Sequence, residues 1–186
     1  MNYHNITQPD MLNGNGLRVV LWVAGCSHHC KGCHNSITWD ANGGIKFDEK
    51  AEEEIFNALS QTYIKGLTLS GGDPLNEANV ETLLELVDKV KSLYPTKDIW
   101  IYSGYTYDYL RNSNDPMDIK RRELVEKCDI FVDGKFVEEL KDKNLHWKGS
   151  SNQIIWDMKT KTPLASESSE EVNNNSTCTI DGCNCS

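Results

Sequence analysis

The chain has no apolar run long enough to span a bilayer, so a membrane-spanning helix is not expected. Its start, Met-Asn-Tyr-His-Asn, lacks the basic residues and apolar stretch of a signal peptide, and the cytoplasm is the expected compartment. Basic charge is in deficit: 19 lysines and arginines stand against 28 aspartates and glutamates, a formal net charge of -9. A surface of that sign repels phosphate backbones and argues against broad nucleic-acid binding. The small basic cluster from Lys120 to Arg122 reads as a solvated helix face. Internal repeats are missing, and so is an even cysteine count. Seven cysteines without an export signal do not read as a disulfide framework in a reducing compartment; metal or redox chemistry fits better.

What is present is ordinary for one globular domain: 186 residues, 38% hydrophobic and 25% charged. Residues 1–18 read as an irregular lead-in ending in Asn13-Gly14-Asn15-Gly16, which permits a turn. Residues 19–23 are a continuous, β-branched apolar run suited to a buried strand. Residues 48–61 read as a helix with Asp48 as N-cap and Ala51, Ile55, Ala58 and Leu59 on one face. Residues 66–70 are a second strand, closed by Gly71-Gly72-Asp73-Pro74. Residues 76–93 carry Val80, Leu83, Leu84, Val87 and Val90 at helical spacing, and Pro95 stops that helix. A third strand at 99–102 ends at Ser103-Gly104. A helix at 118–127 leads to a fourth strand at 129–132, which ends at Asp133-Gly134. Alternation of this kind predicts an α/β fold with a parallel sheet, and ligands in such folds sit beyond the carboxyl ends of the strands. From about Ala165 serine, glutamate and asparagine dominate, which predicts a disordered tail.

The cysteines are not scattered. Three lie between residues 26 and 33, one stands alone at 128, and three fall within the last nine residues. The first group is Cys26-x3-Cys30-x2-Cys33. On a helix it would be a stripe roughly 10 Å long, too extended for the corners of one cluster, so a wrapped loop is expected. Thiolates are the natural ligands of iron–sulfur clusters, and a cubane held by three leaves one iron open. A structural zinc site is the competing reading, with His28, His29 or His34 as fourth ligand. Three metal-free thiols are the third. Spacing alone leaves all of these open.

The cysteine loop after the 19–23 strand, followed by Gly71-Gly72-Asp73-Pro74 after the next, resembles the radical S-adenosylmethionine superfamily. Asn13-Gly14-x-Gly16-x-Arg18 before Gly25-Cys26, and Cys33-His34-Asn35-x-x-Thr38-Trp39 after, are similar to its glycyl-radical activating enzymes. Lys97-Asp98-Ile99-Trp100, Ser103-Gly104-Tyr105, Val132-Asp133-Gly134-Lys135-Phe136 and Trp147-Lys148-Gly149-Ser150-Ser151-Asn152-Gln153 resemble the branch that serves anaerobic ribonucleoside-triphosphate reductase. The likeness runs to about Asp157. It implies a partial (β/α) barrel with parallel strands, the cluster loop following the first strand. The implied domains are a radical S-adenosylmethionine activase at 1–160 and an acidic, cysteine-bearing tail at 161–186. Departures from the pattern are Gly32 where the superfamily has an aromatic, His34 where the branch often has tyrosine, and Asp73 where the superfamily often has glutamate.

The resemblance implies a 4Fe-4S cluster on Cys26, Cys30 and Cys33, with S-adenosylmethionine on the open iron. One electron breaks its C–S bond, and the 5′-deoxyadenosyl radical takes hydrogen from a glycine Cα of the reductase large subunit. The electron donor is not specified, and neither nucleic acid nor membrane is an implied partner. Gly71, Gly72 and Asp73 would present backbone groups to the methionine amino group; otherwise they form a plain strand-to-helix turn. Gly32, Cys33 and His34 would line the cofactor pocket, although His34 also reads as an exposed side chain without a role. Ser103 would touch ribose or methionine. Lys135 would pair with the methionine carboxylate or else join a surface ion pair. Arg18 would order the lead-in or touch the partner, and 147–153 would be structural or partner-facing. Trp22, Trp39 and Trp100 read as core or pocket wall, and Cys128 as a small hydrophobe. Cys178, Cys183 and Cys185 read as metal, redox or thiol-exchange groups, or as free thiols. The functional alternatives are an activase of the pyruvate formate-lyase type and a zinc-binding adaptor.

Overall fold

Runs of apolar residues form the middle of one sheet, as burial on both faces demands. The computed structural model describes residues 1–164. The chain opens with β1 (Asn2–Asp10) and β2 (Arg18–Val23), then β3 (Ile45–Lys46) and helix α1 (Glu49–Leu59). Next come β4 (Gly66–Gly71), α2 (Glu77–Leu93), β5 (Asp98–Tyr102), α3 (Tyr107–Asn112) and α4 (Pro116–Lys127). It finishes with β6 (Ile130–Asp133), β7 (Ile154–Asp157) and β8 (Thr162–Pro163). The strand order is β3-β1-β2-β4-β5-β6-β7-β8. Strands β2, β4, β5 and β6 run parallel. The flanks, β3–β1 and β7–β8, are antiparallel to their neighbours.

The fold is therefore mixed α/β around a parallel centre. Among the described residues the sheet has two open ends, so closure toward a barrel is not confirmed. The lead-in was expected to be irregular, but it contains β1, and the cysteine loop follows the second strand rather than the first. Only Tyr3 and Ile6 of β1 are buried, and its regularity comes from its ladder with β2 rather than from an apolar run. Strand β8 falls just beyond residue 160. The expected tail disorder, and Cys178, Cys183 and Cys185, lie outside the described residues. No helix among them is long and apolar enough to cross a membrane.

Helix starts are set by side-chain caps. Asp48 accepts hydrogen bonds from the Lys50 and Ala51 amides, and Asn76 accepts from Ala78. Asp115 caps α4 and Pro116 opens it, two residues before the start expected from sequence. Because side chains alternate along a strand, the sheet has two distinct faces. Val19, Leu21, Val23, Leu67, Leu69, Ile99, Ile101 and Phe131 pack against Ile55, Leu59, Leu83, Val87, Val90 and Leu124 of the helices. The opposite face carries Arg18, Val20, Thr68 and Trp100, all buried. The lead-in and Trp147 cover it: Thr68 Oγ1 donates to the Asn13 carbonyl at 2.8 Å, and Trp147 meets Trp100 edge-on at 5.1 Å.

Arg18 anchors the foot of this second face. Its guanidinium is 0% exposed and lies 2.6 Å from Asp98 Oδ1. It also donates to Thr68 Oγ1 at 2.7 Å, the Asn15 carbonyl at 3.0 Å and the Leu67 carbonyl at 2.8 Å. The cation lies 5.2 Å from the centre of the Trp100 ring. Arg18 thus orders the lead-in and is not a partner contact. Burying a cation is tolerable only with such a set of partners.

Candidate active site

At the carboxyl end of β2 the chain leaves the sheet and returns through a short 3-10 turn (Ser36–Thr38). Gly25 N donates to the Thr38 carbonyl at 2.8 Å and Cys26 N to that of Trp39 at 3.0 Å, closing the neck of the loop. The neck is stitched to the end of β4. Gly72 N donates to Val23 O at 2.8 Å, and Asp73 N to Gly25 O at 2.7 Å. Gly71 takes a φ of +104°, open to glycine. A Cβ on Gly72 would lie 2.5 Å from the Gly25 carbonyl oxygen. Both glycines are therefore required by the approach of two protein segments, whatever else binds there.

The loop wraps as expected. Cys33 N donates to Cys30 O at 3.2 Å, and Asn35 N reaches Cys33 Sγ at 3.4 Å. Cys26, Cys30 and Cys33 are partly exposed and line one cavity of about 160 Å³. Ser70, Gly71, Gly72 and Asp73 line it from β4, Tyr102, Ser103 and Gly104 from β5, and Gly134, Lys135 and Phe136 from β6. The ends of all four parallel strands thus meet around the thiols. Burial pushes the Cys26 thiol up, while the backbone of His28 and His29 pulls it back.

The donor set fits a cluster better than a single ion. Tetrahedral zinc brings its thiolate sulfurs within roughly 4 Å of one another. Among the described residues no three His, Cys, Asp or Glu side chains are gathered as a single-ion site. The candidate fourth ligands are engaged elsewhere. His28 Nε2 faces Asp73 Oδ2 at 2.6 Å, His29 stacks on Trp39 at 4.7 Å, and His34 Nε2 lies 3.1 Å from Lys141 Nζ. Three thiols with no fourth protein ligand among the described residues suit a cubane with one open iron.

Of the residues read from sequence, the structure brings Cys26, Cys30, Cys33, Gly71, Gly72, Asp73, Ser103 and Lys135 to the cavity. Gly32 and His34 are not in its lining. A Cβ on Gly32 would meet the Glu138 carboxylate at 2.7 Å, and His34 is exposed beside Lys141, so both face outward from the loop. Asp73 is 2% exposed, and its carboxylate accepts from Ser103 Oγ at 2.8 Å, Leu75 N at 2.8 Å and Gly104 N at 3.2 Å. Ser103 is thus first a partner of Asp73. Asp133 is buried at the end of β6 and accepts from Tyr107 N, Trp156 Nε1 and Ile154 N. Burial pushes its carboxyl up, against those three donors.

Within residues 147–153, Gly149, Asn152 and Gln153 buttress the end of β6. The Gln153 amide donates to Gly134 O at 2.8 Å and accepts from Gly149 N, and Asn152 donates to Lys135 O at 2.9 Å. These bonds hold the β6 wall of the cavity. Gln153 also borders a larger hollow of about 420 Å³, lined by Trp147, Ile154, Ile155 and Leu164 and without a thiol. Trp100 is core, whereas Trp22 donates to Thr7 Oγ1 on β1. Cys128 is 3% exposed; burial pushes its thiol far up, and its Sγ contacts the Leu124 carbonyl at 3.3 Å. Sequence reasoning treated His28 only as a possible zinc ligand, and no pattern in the chain marks its contact with Asp73.

Residues 12–156 match a family described as a 4Fe-4S single cluster domain. An anaerobic ribonucleoside-triphosphate reductase-activating protein of Haemophilus influenzae is 47% identical over 157 residues, covering 83% of this chain and 97% of the relative. The protein of that name from Escherichia coli K12 is 44% identical with the same coverage. That of Enterobacteria phage T4 is 44% identical over 156 residues, 84% of this chain and 94% of its own. The chain belongs to the anaerobic ribonucleoside-triphosphate reductase-activating protein family. The family match begins in the lead-in and ends within β7, so it takes in the thiol loop and all four parallel strands. As a member of this activating-protein family the chain has a 4Fe-4S domain, and the reading as a zinc adaptor falls.

Proposed function

We propose that this protein activates an anaerobic ribonucleoside-triphosphate reductase as a radical S-adenosylmethionine enzyme, leaving a glycyl radical in the reductase large subunit. The observation that carries the reading is the meeting of three thiols with the Gly-Gly-Asp turn in one cavity at the ends of parallel strands. The names of the relatives supply the target. When bound, a 4Fe-4S cluster supplies one electron and an open iron, with which S-adenosylmethionine is cleaved and a glycine Cα gives up a hydrogen atom.

The chain's own residues hold and orient. Cys26, Cys30 and Cys33 would hold the cluster. The Gly72 and Asp73 amides already donate to Val23 and Gly25, so this turn offers carbonyl oxygens, the correct partners for an ammonium group. Lys135 is exposed at the cavity wall, where its ammonium can meet a carboxylate. Ser103, hydrogen-bonded to Asp73, keeps a lone pair for a hydroxyl of the cofactor. Residues 1–160 form the catalytic unit in this reading, and 161–186 are appended to it. A reduced cluster calls for the cytoplasm as compartment.

The test is anaerobic reconstitution with iron and sulfide, then incubation with the reductase large subunit, a chemical reductant and S-adenosylmethionine. A glycyl-radical signal in electron paramagnetic resonance is expected, with one methionine released per cleavage. A radical formed only on a pyruvate formate-lyase type partner would reject the target. A cluster indifferent to S-adenosylmethionine would reject the chemistry.

A further inference from the structure

Only the neck of the thiol loop is fixed by backbone bonds to the rest of the chain. Between Cys26 and Cys33 the backbone-to-backbone bond is internal, from Cys33 N to Cys30 O. Two side chains in this span form ion pairs with other elements. Lys31 pairs with Glu138 and Glu139, but it is 79% exposed, and such pairs contribute little. His28 is different. Its side chain is 9% exposed, and Nε2, a buried nitrogen with no hydrogen bond of its own, lies 2.6 Å from Asp73 Oδ2.

The surroundings leave the imidazole little freedom. Tyr105 meets it edge-on, with ring centres 4.9 Å apart. The Arg121 guanidinium lies 4.6 Å from the centre of the Tyr105 ring, and its Nε donates to the Leu75 carbonyl. On another side the imidazole rests on bare Gly104, where an added Cβ would lie 2.3 Å from Cδ2. Asp73, in turn, is held by Ser103 Oγ and Gly104 N. One buried contact therefore ties the middle of the thiol loop to the turn after β4 and to the end of β5.

We infer that His28 is a positioning residue: through Asp73 it fixes the thiol loop, and with it the orientation of whatever the three cysteines hold, against the cofactor side of the cavity. The inference rests on the cluster reading, but its first readout needs no S-adenosylmethionine. Three reconstituted full-length variants test it: His28→Leu, which removes the contact; His28→Gln, whose amide can place a donor near Nε2; and Gly104→Ala, which displaces the ring without altering it.

All three are expected to take up iron and sulfide as the parent does, since the thiols remain. The reduced cluster in His28→Leu and Gly104→Ala is expected to give a broadened resonance spectrum, from a loop with several geometries. The S-adenosylmethionine concentration that half-converts that spectrum should rise about tenfold in both, as expected when a loop that positions the cofactor is no longer held in one geometry. His28→Gln should stay within about threefold of the parent on the same scale. A parent-like spectrum in His28→Leu would overturn the inference. So would His28→Gln as damaged as His28→Leu, because the contact with Asp73 would then not be what matters. Loss of iron uptake in both His28 variants would make His28 a ligand and also overturn it. If the parent cluster ignores S-adenosylmethionine, the proposed chemistry fails while line widths still decide the tether.

Discussion

The two ends of the parallel strands each bury a charge, and they treat it differently. At the foot, the Arg18 guanidinium is closed in by Asp98, Thr68 and two carbonyls. At the rim, the Asp73 carboxylate is almost as deeply buried, yet it lies in the wall of the thiol cavity. The foot is a lock: every donor is satisfied inside the protein, and the result is a rigid base. The rim uses the same economy of partners to hold loops apart around open space. Stability and chemistry are thus separated along about one strand length.

Substitutions at the two ends should separate the same way. The largest effect belongs to the rim: Cys30→Ala removes one grip on the cluster and should abolish S-adenosylmethionine cleavage, read as loss of 5′-deoxyadenosine by chromatography. Retained cleavage would break the ligand assignment. Next is the foot. Arg18→Met strands Asp98 and Thr68 and should lower stability by about 3 kcal/mol, measured by urea unfolding of the apo protein. Cleavage per bound cluster in the folded fraction should be unchanged; a fall would show that the two ends are coupled. Gly72→Ala returns to the rim. Its methyl must push the Gly25 carbonyl and thereby the loop neck, and cleavage should drop by about tenfold or more with roughly 1–2 kcal/mol of stability. The smallest effect is Ser103→Ala, which deletes one donor to Asp73 and should destabilise by about 1–2 kcal/mol, with a few-fold rise in the S-adenosylmethionine needed.

The rim was more legible in the sequence than the foot. Strand-terminal glycines and the cysteine spacing are local patterns, and local patterns survive in one dimension. The helices were legible for a similar reason: Asp48 and Asn76 cap where their residue types favour capping, and the apolar stripes of α1 and α2 face the core. Strand β1 was not, because most of its residues are polar or half-exposed and its pairing is set by β2. The short helix α3 was hidden because six residues give too little periodicity to read. Arg18 was visible as part of a motif, but a charged residue with no exposure runs against composition-based expectation. His28 is the deepest miss. Its partner is 45 positions away in the chain, and only the stitching of the β2 and β4 ends brings them together.

Cys128 gives the rim a quieter advantage. Buried at the C-terminal end of α4 and held as the neutral thiol, it offers neither iron nor oxygen a reactive sulfur beside the sheet. Within the described fold, cluster assembly therefore has a single destination. Among the described thiols, oxidants likewise meet the partly exposed cysteines of the rim before the buried one in the interior.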